Sequence, residues 1–476
     1  MIRKANIRYS WKGFAIPLLL SVLLLLTACT DYDALLPTKV EEPSQAERLA
    51  NADSLFLNLS IVSNSNVTRD AEVGTSAENA IYDGILCIFE GNGETNATLK
   101  NATVIDQLIS NPNEPRPTIL SSSSSIDIVQ RLPIGTHPYP NGGKLYALVL
   151  LNTTSTGFTV SNNMLYLNGA SLAGKTRAQI QSMIINSVGS TDEHTGLFMT
   201  NKPKEGGQVA IQMNAYSDKC YLFDSEEAIA LSTLADNNKK LTINVERAAA
   251  RVKVTNDIPA ATVLDNIILN DNASAHPKIH KMTWVANNYY SKCYAIRGGS
   301  GGTLTTNTFR PADFTVYQQH SLQNDEAIYI AEGTADVIVE VQLKDGSFLL
   351  DDCYQFNGTA NLYTSPIQLI NHIKTNWWPT NKATYTALSS VNVDEVFKNT
   401  KIEINTANGN VTMTLTNADL DQTSLNTLAA DLSLLTKGFC EGRMYYTYSL
   451  STIERNNAYN MSLSTSSISG IGRPTP

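Results

Sequence analysis

The chain has 476 residues, 42% of them hydrophobic and only 17% charged, with a net charge of −9. Charge falls below the ~25% usual for soluble domains, and the acidic balance excludes a nucleic-acid binder held by phosphate neutralisation. At this length two domains of ~200 residues each are the default, and with 6 His and 6 Cys the composition favours a binding or structural role over catalysis.

Arg3, Lys4, Arg8 and Lys12 precede an apolar run from Phe14 to Leu26. A basic head, a short apolar stretch and small residues before the cut read as a signal peptide over 1–28. Leu26-Thr27-Ala28-Cys29 resembles a bacterial lipobox, in which Cys29 is acylated and becomes the new N-terminus. The plainer alternative is an ordinary signal peptide followed by a chance cysteine. Loss of the four basic residues takes the net charge from −9 to −13. Five cysteines remain (Cys87, Cys220, Cys293, Cys353 and Cys440); an odd number cannot all pair internally, and buried free thiols are expected.

Residues 29–54, with Pro37 and Pro43, read as a polar tether. Leu55, Leu57, Leu59 and Ile61 then alternate with Phe56, Asn58 and Ser60, the period of a strand with one buried face. The polar stretch Ser63–Thr68 follows, then Arg69, then another polar stretch from Asp70 to Asn79. Further strand-like runs are Ile81–Phe89, Ser125–Leu132, Leu145–Leu151, Val209–Asn214, Leu241–Val245 and Arg251–Thr255. Beyond these lie Lys281–Ala286, Ala327–Ala331, Asp336–Leu343, Ser347–Tyr354, Lys401–Asn405, Val411–Leu415, Met444–Leu450 and Tyr459–Ser464. Helices are expected only at Arg177–Asn186, capped by Thr176, and Thr423–Leu435. The fold class is mainly β: two tandem antiparallel β-sandwich domains with few short helices, divided as 55–248 and 249–476.

Catalytic patterns are missing from the sequence: it has no Gly-x-Ser-x-Gly elbow, His-Glu-x-x-His pair or phosphate loop. His276 and His280 flank Pro277 and read as surface histidines. Gly298–Gly302 is a flexible loop, and Asp192-Glu193 and Asp351-Asp352 are solvated turns without a calcium-loop spacing. The expectation is no enzyme, no metal and no cofactor. Trp377-Trp378-Pro379 is either aromatic packing beside a turn or a stacking platform for a glycan.

Six segments in order resemble the FimA/Mfa fimbrillin family, the lipoprotein subunits of type V fimbriae. They are Leu55–Val62 with Val67–Asp70, Ile81–Phe89, Leu145–Asn152, Phe198–Asn201, Val245–Val252, and Arg455–Tyr459 with Ile468–Gly472. The resemblance implies export as a lipoprotein to the outer membrane and cleavage after Arg69 by an Arg-specific protease. It further implies release of the first strand, with Leu55, Leu57, Leu59 and Ile61 as its plug, and insertion of a neighbouring subunit's strand into the groove. Partners would be other fimbrial subunits and a host or bacterial surface ligand. The competing view keeps Leu55–Val62 as a permanent strand and Arg69 as a surface arginine. Chain end Pro476 lies 17 residues after Tyr459, and Gly470, Gly472, Pro474 and Pro476 suit a donor strand poorly, so a tip subunit is expected. Alternatives are a stalk or anchor subunit, or a glycan-binding surface lipoprotein using Trp377 and Trp378.

Overall fold

The structure is a computed structural model and describes residues 43–63, 75–108, 118–120, 125–132, 144–191, 195–204, 206–213, 221–233, 239–259, 261–290, 292–304, 306–307, 320–321 and 326–475. Cys29, Arg69, Asp70 and Cys220 lie outside these residues. The first 51 residues and residues 52–476 are separate units. In the first, Gln45–Asn51 forms a short helix, α1.

In the second unit, the alternating run begins a nine-stranded sheet. Its strands are β1 (Phe56–Ser63), β2 (Gly84–Gly91), β3 (Thr98–Val104), β4 (Ser125–Arg131), β5 (Lys144–Leu151), β6 (Met199–Asn201), β7 (Leu222–Phe223) and β8 (Leu241–Arg247), with the short Ile211–Gln212 added. The spatial order is β4-β1-β8-β6-β5-β2-β3, with β7 sharing the β8 edge of β1. β5 is buried from Leu145 to Leu151, as a central strand covered on both faces requires. Sequence reading places antiparallel pairing throughout, yet β1 runs parallel to β8. Strands more than 170 residues apart in the chain are not bound to the hairpin geometry that makes neighbours antiparallel.

One residue, Ala248, separates β8 from β9 (Ala249–Asn256). β9 pairs antiparallel with β11 (Ala327–Ala331) and parallel with β19 (Ala458–Leu463). A further sheet places the 13-residue β12 (Gly333–Asp345) between β10 (Lys278–Asn287) and β18 (Arg443–Ile453). β13 (Cys353–Phe356) lies between β14 (Asn361–Tyr363) and β17 (Thr436–Phe439), and β15 (Asn399–Ile404) pairs with β16 (Val411–Thr416). The mainly-β expectation therefore holds.

Helix α2 (Arg177–Gln181) is capped by Thr176 and Gln179 as a reciprocal pair, but it stops before the expected Asn186, because Ile184-Ile185 pair with Cys293-Tyr294. Helix α3 (Pro366–His372) is one the sequence reading does not expect. Ser365 caps it and Pro366 occupies its first position. It runs through a π turn at Ile373–Trp377 into Trp378–Asn381. Helix α4 (Gln422–Leu435) matches the expected span and is capped by Asp421.

Buried side chains gather in separate cores. One holds Phe89, Leu148, Leu150, Phe158 and Phe198, but also Cys293, Ala295, Ile296 and Ala331 from beyond position 249. A second is built around Trp284, Val339, Phe439 and Met444. A third, rich in aromatics, joins α3 and α4 to β13 and β16.

Candidate functional site: the enclosed first strand and the junction behind it

β1 has both edges paired. β4 lies against it from Phe56 to Val62, and the opposite edge is taken first by β7 and then by β8. Leu57, Leu59 and Ile61 are 0% exposed and Leu55 is 3%. Their registers put Leu59 between Ile128 and Leu241, and Ile61 between Ile126 and Ile243. Fully burying each such side chain contributes about 1.5–3 kcal/mol. Asn58 and Ser60, on the other face, are 3% exposed, so β1 is covered on both sides. Of the four alternating apolar residues, Leu57, Leu59 and Ile61 lie on β1 and Leu55 immediately precedes it.

That second face has its own chemistry. Ser60 Oγ donates to Asp127 Oδ1 at 2.8 Å, Ser125 Oγ donates to the same atom at 3.0 Å, and Lys240 Nζ sits 2.7 Å from Asp127 Oδ2. Partial burial disfavours the charged carboxylate, but the hydrogen bonds from Lys240, Ser60 and Ser125 outweigh it and hold Asp127 below the usual aspartate range.

In sequence, β1 is joined to the rest of its unit through 64–74, the stretch that contains Arg69. At its far side Thr75 and Glu78 form a reciprocal cap: Thr75 N–H donates to Glu78 Oε2 at 2.7 Å. Glu78 is 1% exposed and collects three further partners. Arg247 Nη1 lies at 2.9 Å, Arg251 Nη1 at 3.5 Å, and Tyr329 OH donates to Oε1 at 2.9 Å. Burial first, and then the Glu78 charge, push the Tyr329 hydroxyl far above its ordinary value. Arg247 also donates Nε to Asn456 Oδ1 at 3.0 Å. Next to it, Arg455 is fully buried and grips Glu332 with two bonds of 2.7 and 3.1 Å. Glu246, 2% exposed, pairs with Arg297 at 3.0 Å; burial nonetheless drives its carboxyl upward.

Two of the sequence signatures therefore meet here, Val245–Val252 through Arg247 and Arg251, and Arg455-Asn456. Sequence reasoning missed Glu78, Tyr329 and Glu332. The Thr75-x-x-Glu78 spacing was the available signal for Glu78; the other two carry none.

Other candidates stand apart from this site. Trp378 is 3% exposed, stacked on Tyr385 at 5.8 Å between centroids and edge-on to Phe397. Trp377 is half-buried against Phe356 and Tyr385. Of the two tryptophans read as a stacking platform, Trp378 is buried in the third core and Trp377 is packed against that core while half-buried. Cys87, Cys293 and Cys353 are buried free thiols, as expected, and burial pushes Cys293 and Cys353 up to about 12. His276 Nδ1 contacts Ile267 O at 2.8 Å, and His280 is exposed at a bulge in β10. Among the described residues no group of three or more His, Cys, Asp or Glu could hold a metal, and no helix is long and apolar enough to cross a membrane.

The segment after β19 returns to its own core. Ile468 is 1% exposed, and Arg473 exchanges both backbone hydrogen bonds with Tyr445 on β18, at 2.9 and 3.0 Å. Tyr446 and Tyr448 donate their hydroxyls to Gly470 O and Ser467 O.

Neither a family model nor a curated protein matches the chain. Among solved structures it is similar to a candidate cell adhesion protein from Parabacteroides distasonis, with 14% identity and a TM-score of 0.34, over 64% of this chain and 80% of that one. It is similar to a fimbrial assembly protein from the same organism, with 10% identity and a TM-score of 0.31, over 62% and 84%. A third similar structure is a tip fimbrial protein from Porphyromonas gingivalis truncated at its C-terminus, with 7% identity and a TM-score of 0.29, over 61% and 78%.

Proposed function

We propose that this chain is an adhesive subunit of a cell-surface fimbria, assembled by exchange of its first strand. The observation that carries this reading is the state of β1: paired along both edges, buried on both faces, and followed by a polar stretch containing Arg69. Cleavage after Arg69 by an Arg-specific protease leaves 407 of the 476 residues, beginning at Asp70. Withdrawal of β1 then exposes the N–H and C=O groups of β4 and β8 together with aliphatic pockets, an acceptor for another subunit's strand. The ordered fimbrillin-like signatures support the same role. In this reading Cys29 carries lipid and holds the precursor at the outer membrane, and the assembled subunit is extracellular.

The subunit is an acceptor, suited to the tip of a fibre. Support comes from residues 465–474, which are engaged in the C-terminal core through Ile468 and Arg473. We place the division between the two sandwich domains at Ala248, with Cys293–Arg297 returning to the first core. N-terminal sequencing of subunits from sheared fibres tests the reading: Asp70 as first residue is expected, and Cys29 as first residue rejects it. Immunogold labelling of fibre ends is expected, and labelling along the shafts removes the tip role alone. A lipid-free Cys29→Ala precursor that still reaches the membrane normally removes the lipid anchor.

A further inference from the structure

A strand set inside a sheet is read on two faces. On the inner face, Leu57, Leu59 and Ile61 are completely buried, Leu59 and Ile61 between aliphatic neighbours of β4 and β8 and Leu57 between Gln130 of β4 and Leu222 of β7. Such pockets discriminate weakly, since one methylene changes binding by only about 10–200-fold. The other face is more exacting. Ser60 is directly opposite Asp127 on β4 and Thr242 on β8, and it is 3% exposed. The Asp127 side chain, 49% exposed, is oriented by Ser125 Oγ at 3.0 Å from Oδ1 and Lys240 Nζ at 2.7 Å from Oδ2. The Ser60 register thus faces a charged acceptor whose Oδ1 lies 2.8 Å from Ser60 Oγ.

Resting on the strand-exchange reading, we infer that Asp127 is a selectivity residue of the groove. It admits donor strands that carry a hydroxyl side chain in the Ser60 register and rejects those that carry a carboxylate there. The partner is then a strand of pattern apolar-x-apolar-hydroxyl-apolar, in the registers of Leu57 to Ile61, running parallel to β8 and antiparallel to β4. An alanine in the Ser60 register loses one hydrogen bond to a charged acceptor. A glutamate brings a second carboxylate to a site with one ammonium, and like charges directly opposite on paired strands repel.

The test uses the full chain cut after Arg69 and a fluorescent peptide of the Leu55–Ser63 sequence, with Ser60→Ala and Ser60→Glu versions. The parent peptide is expected to displace the resident strand and travel with the protein in gel filtration. The Ala peptide should bind roughly tenfold more weakly and the Glu peptide about a hundredfold or more. In Asp127→Asn protein, which keeps the shape but not the charge, the penalty on the Glu peptide should shrink to about tenfold or less. Parent binding in that variant shows that it is folded. Equal uptake of the three peptides by the parent protein, or an undiminished Glu penalty in Asp127→Asn, overturns the selectivity and leaves strand exchange standing. Failure of the parent peptide to enter overturns strand exchange, and the selectivity with it.

Discussion

At the scale of single residues, the asparagines that end two signature segments act as splints between strands. Asn152 is fully buried at φ 57°, accepts from Tyr82 N–H at 2.8 Å, and donates to Ala80 O and Leu197 O at 2.8 and 2.7 Å. A side chain on Gly196 would collide with it, a Cβ there coming within 2.4 Å of Asn152 Nδ2. Asn201 does similar work for β5, accepting from Val149 N–H and donating to Ala147 O and Val209 O. Asn152→Ala leaves three buried backbone groups unpaired and an alanine at positive φ, so a loss of about 3 kcal/mol is expected in urea unfolding. Asn152→Gly, which relieves only the backbone, should recover less than half of it. Asp127 gives a pH signature. Its folded pKa is depressed, so its contribution is present above the ordinary value near 3.9 and is lost as pH falls through the folded value. The gap in urea midpoint between the parent and Asp127→Asn should accordingly be open at pH 7 and close on acidification below about pH 4. The sequence marked these asparagines as parts of a pattern. Their roles were hidden, because each depends on strands 45 or more residues away.

At the scale of elements, what was legible was what a period of two can carry. β1, β5, β8, β9 and β12 bury alternating or continuous apolar runs and were found close to their true spans. The meander Phe158–Ser161, Met164–Leu167, Ala170–Ser171 was missed, although Asn162 and Asn163 both take positive φ as a two-residue hairpin turn demands. Helix α3 was missed because Ile367, Ile370, Asn371 and His372 have poor helix propensity; burial of Leu369, and of Ile373 and Trp378 in the turns that follow, in the third core overrides that. β1 itself yields a prediction. Leu59→Ala should cost the intact chain about 2–5 kcal/mol, seen as a lower urea midpoint. On the proposed strand exchange, the same substitution should have no effect in assembled subunits, since the residue would have left with the strand. A Leu59→Ala effect that persists in assembled subunits would show that β1 stays in place.

At the scale of the whole molecule, the junction is where sequence reading and structure diverge most. Arg247, Arg251, Arg455 and Asn456 were visible as signature residues. Glu78, Tyr329 and Glu332 were not, because the acids and the phenol that complete the cluster meet partners 123 to 251 residues away along the chain. Glu78→Ala leaves two arginines facing a buried site without their acid. A loss of about 3 kcal/mol in urea unfolding is expected, and Glu78→Gln should restore part of it, its one amide oxygen keeping the Thr75 bond. Arg455→Met should cost a similar amount by stranding Glu332.

The near-continuity of β8 and β9 through Ala248 has a mechanical consequence. A strand in the β1 slot is bonded along β8, and β19 is bonded along β9, both in parallel register. Tension entering through the slot and leaving through the second half of the chain therefore passes along one covalent backbone rather than across a packed surface. Pulling along these ladders loads their hydrogen bonds together in shear instead of opening them one after another. Single-molecule stretching of a subunit with an occupied slot should accordingly give one high rupture force, and pulling the inserted strand sideways from the same slot a series of small ones.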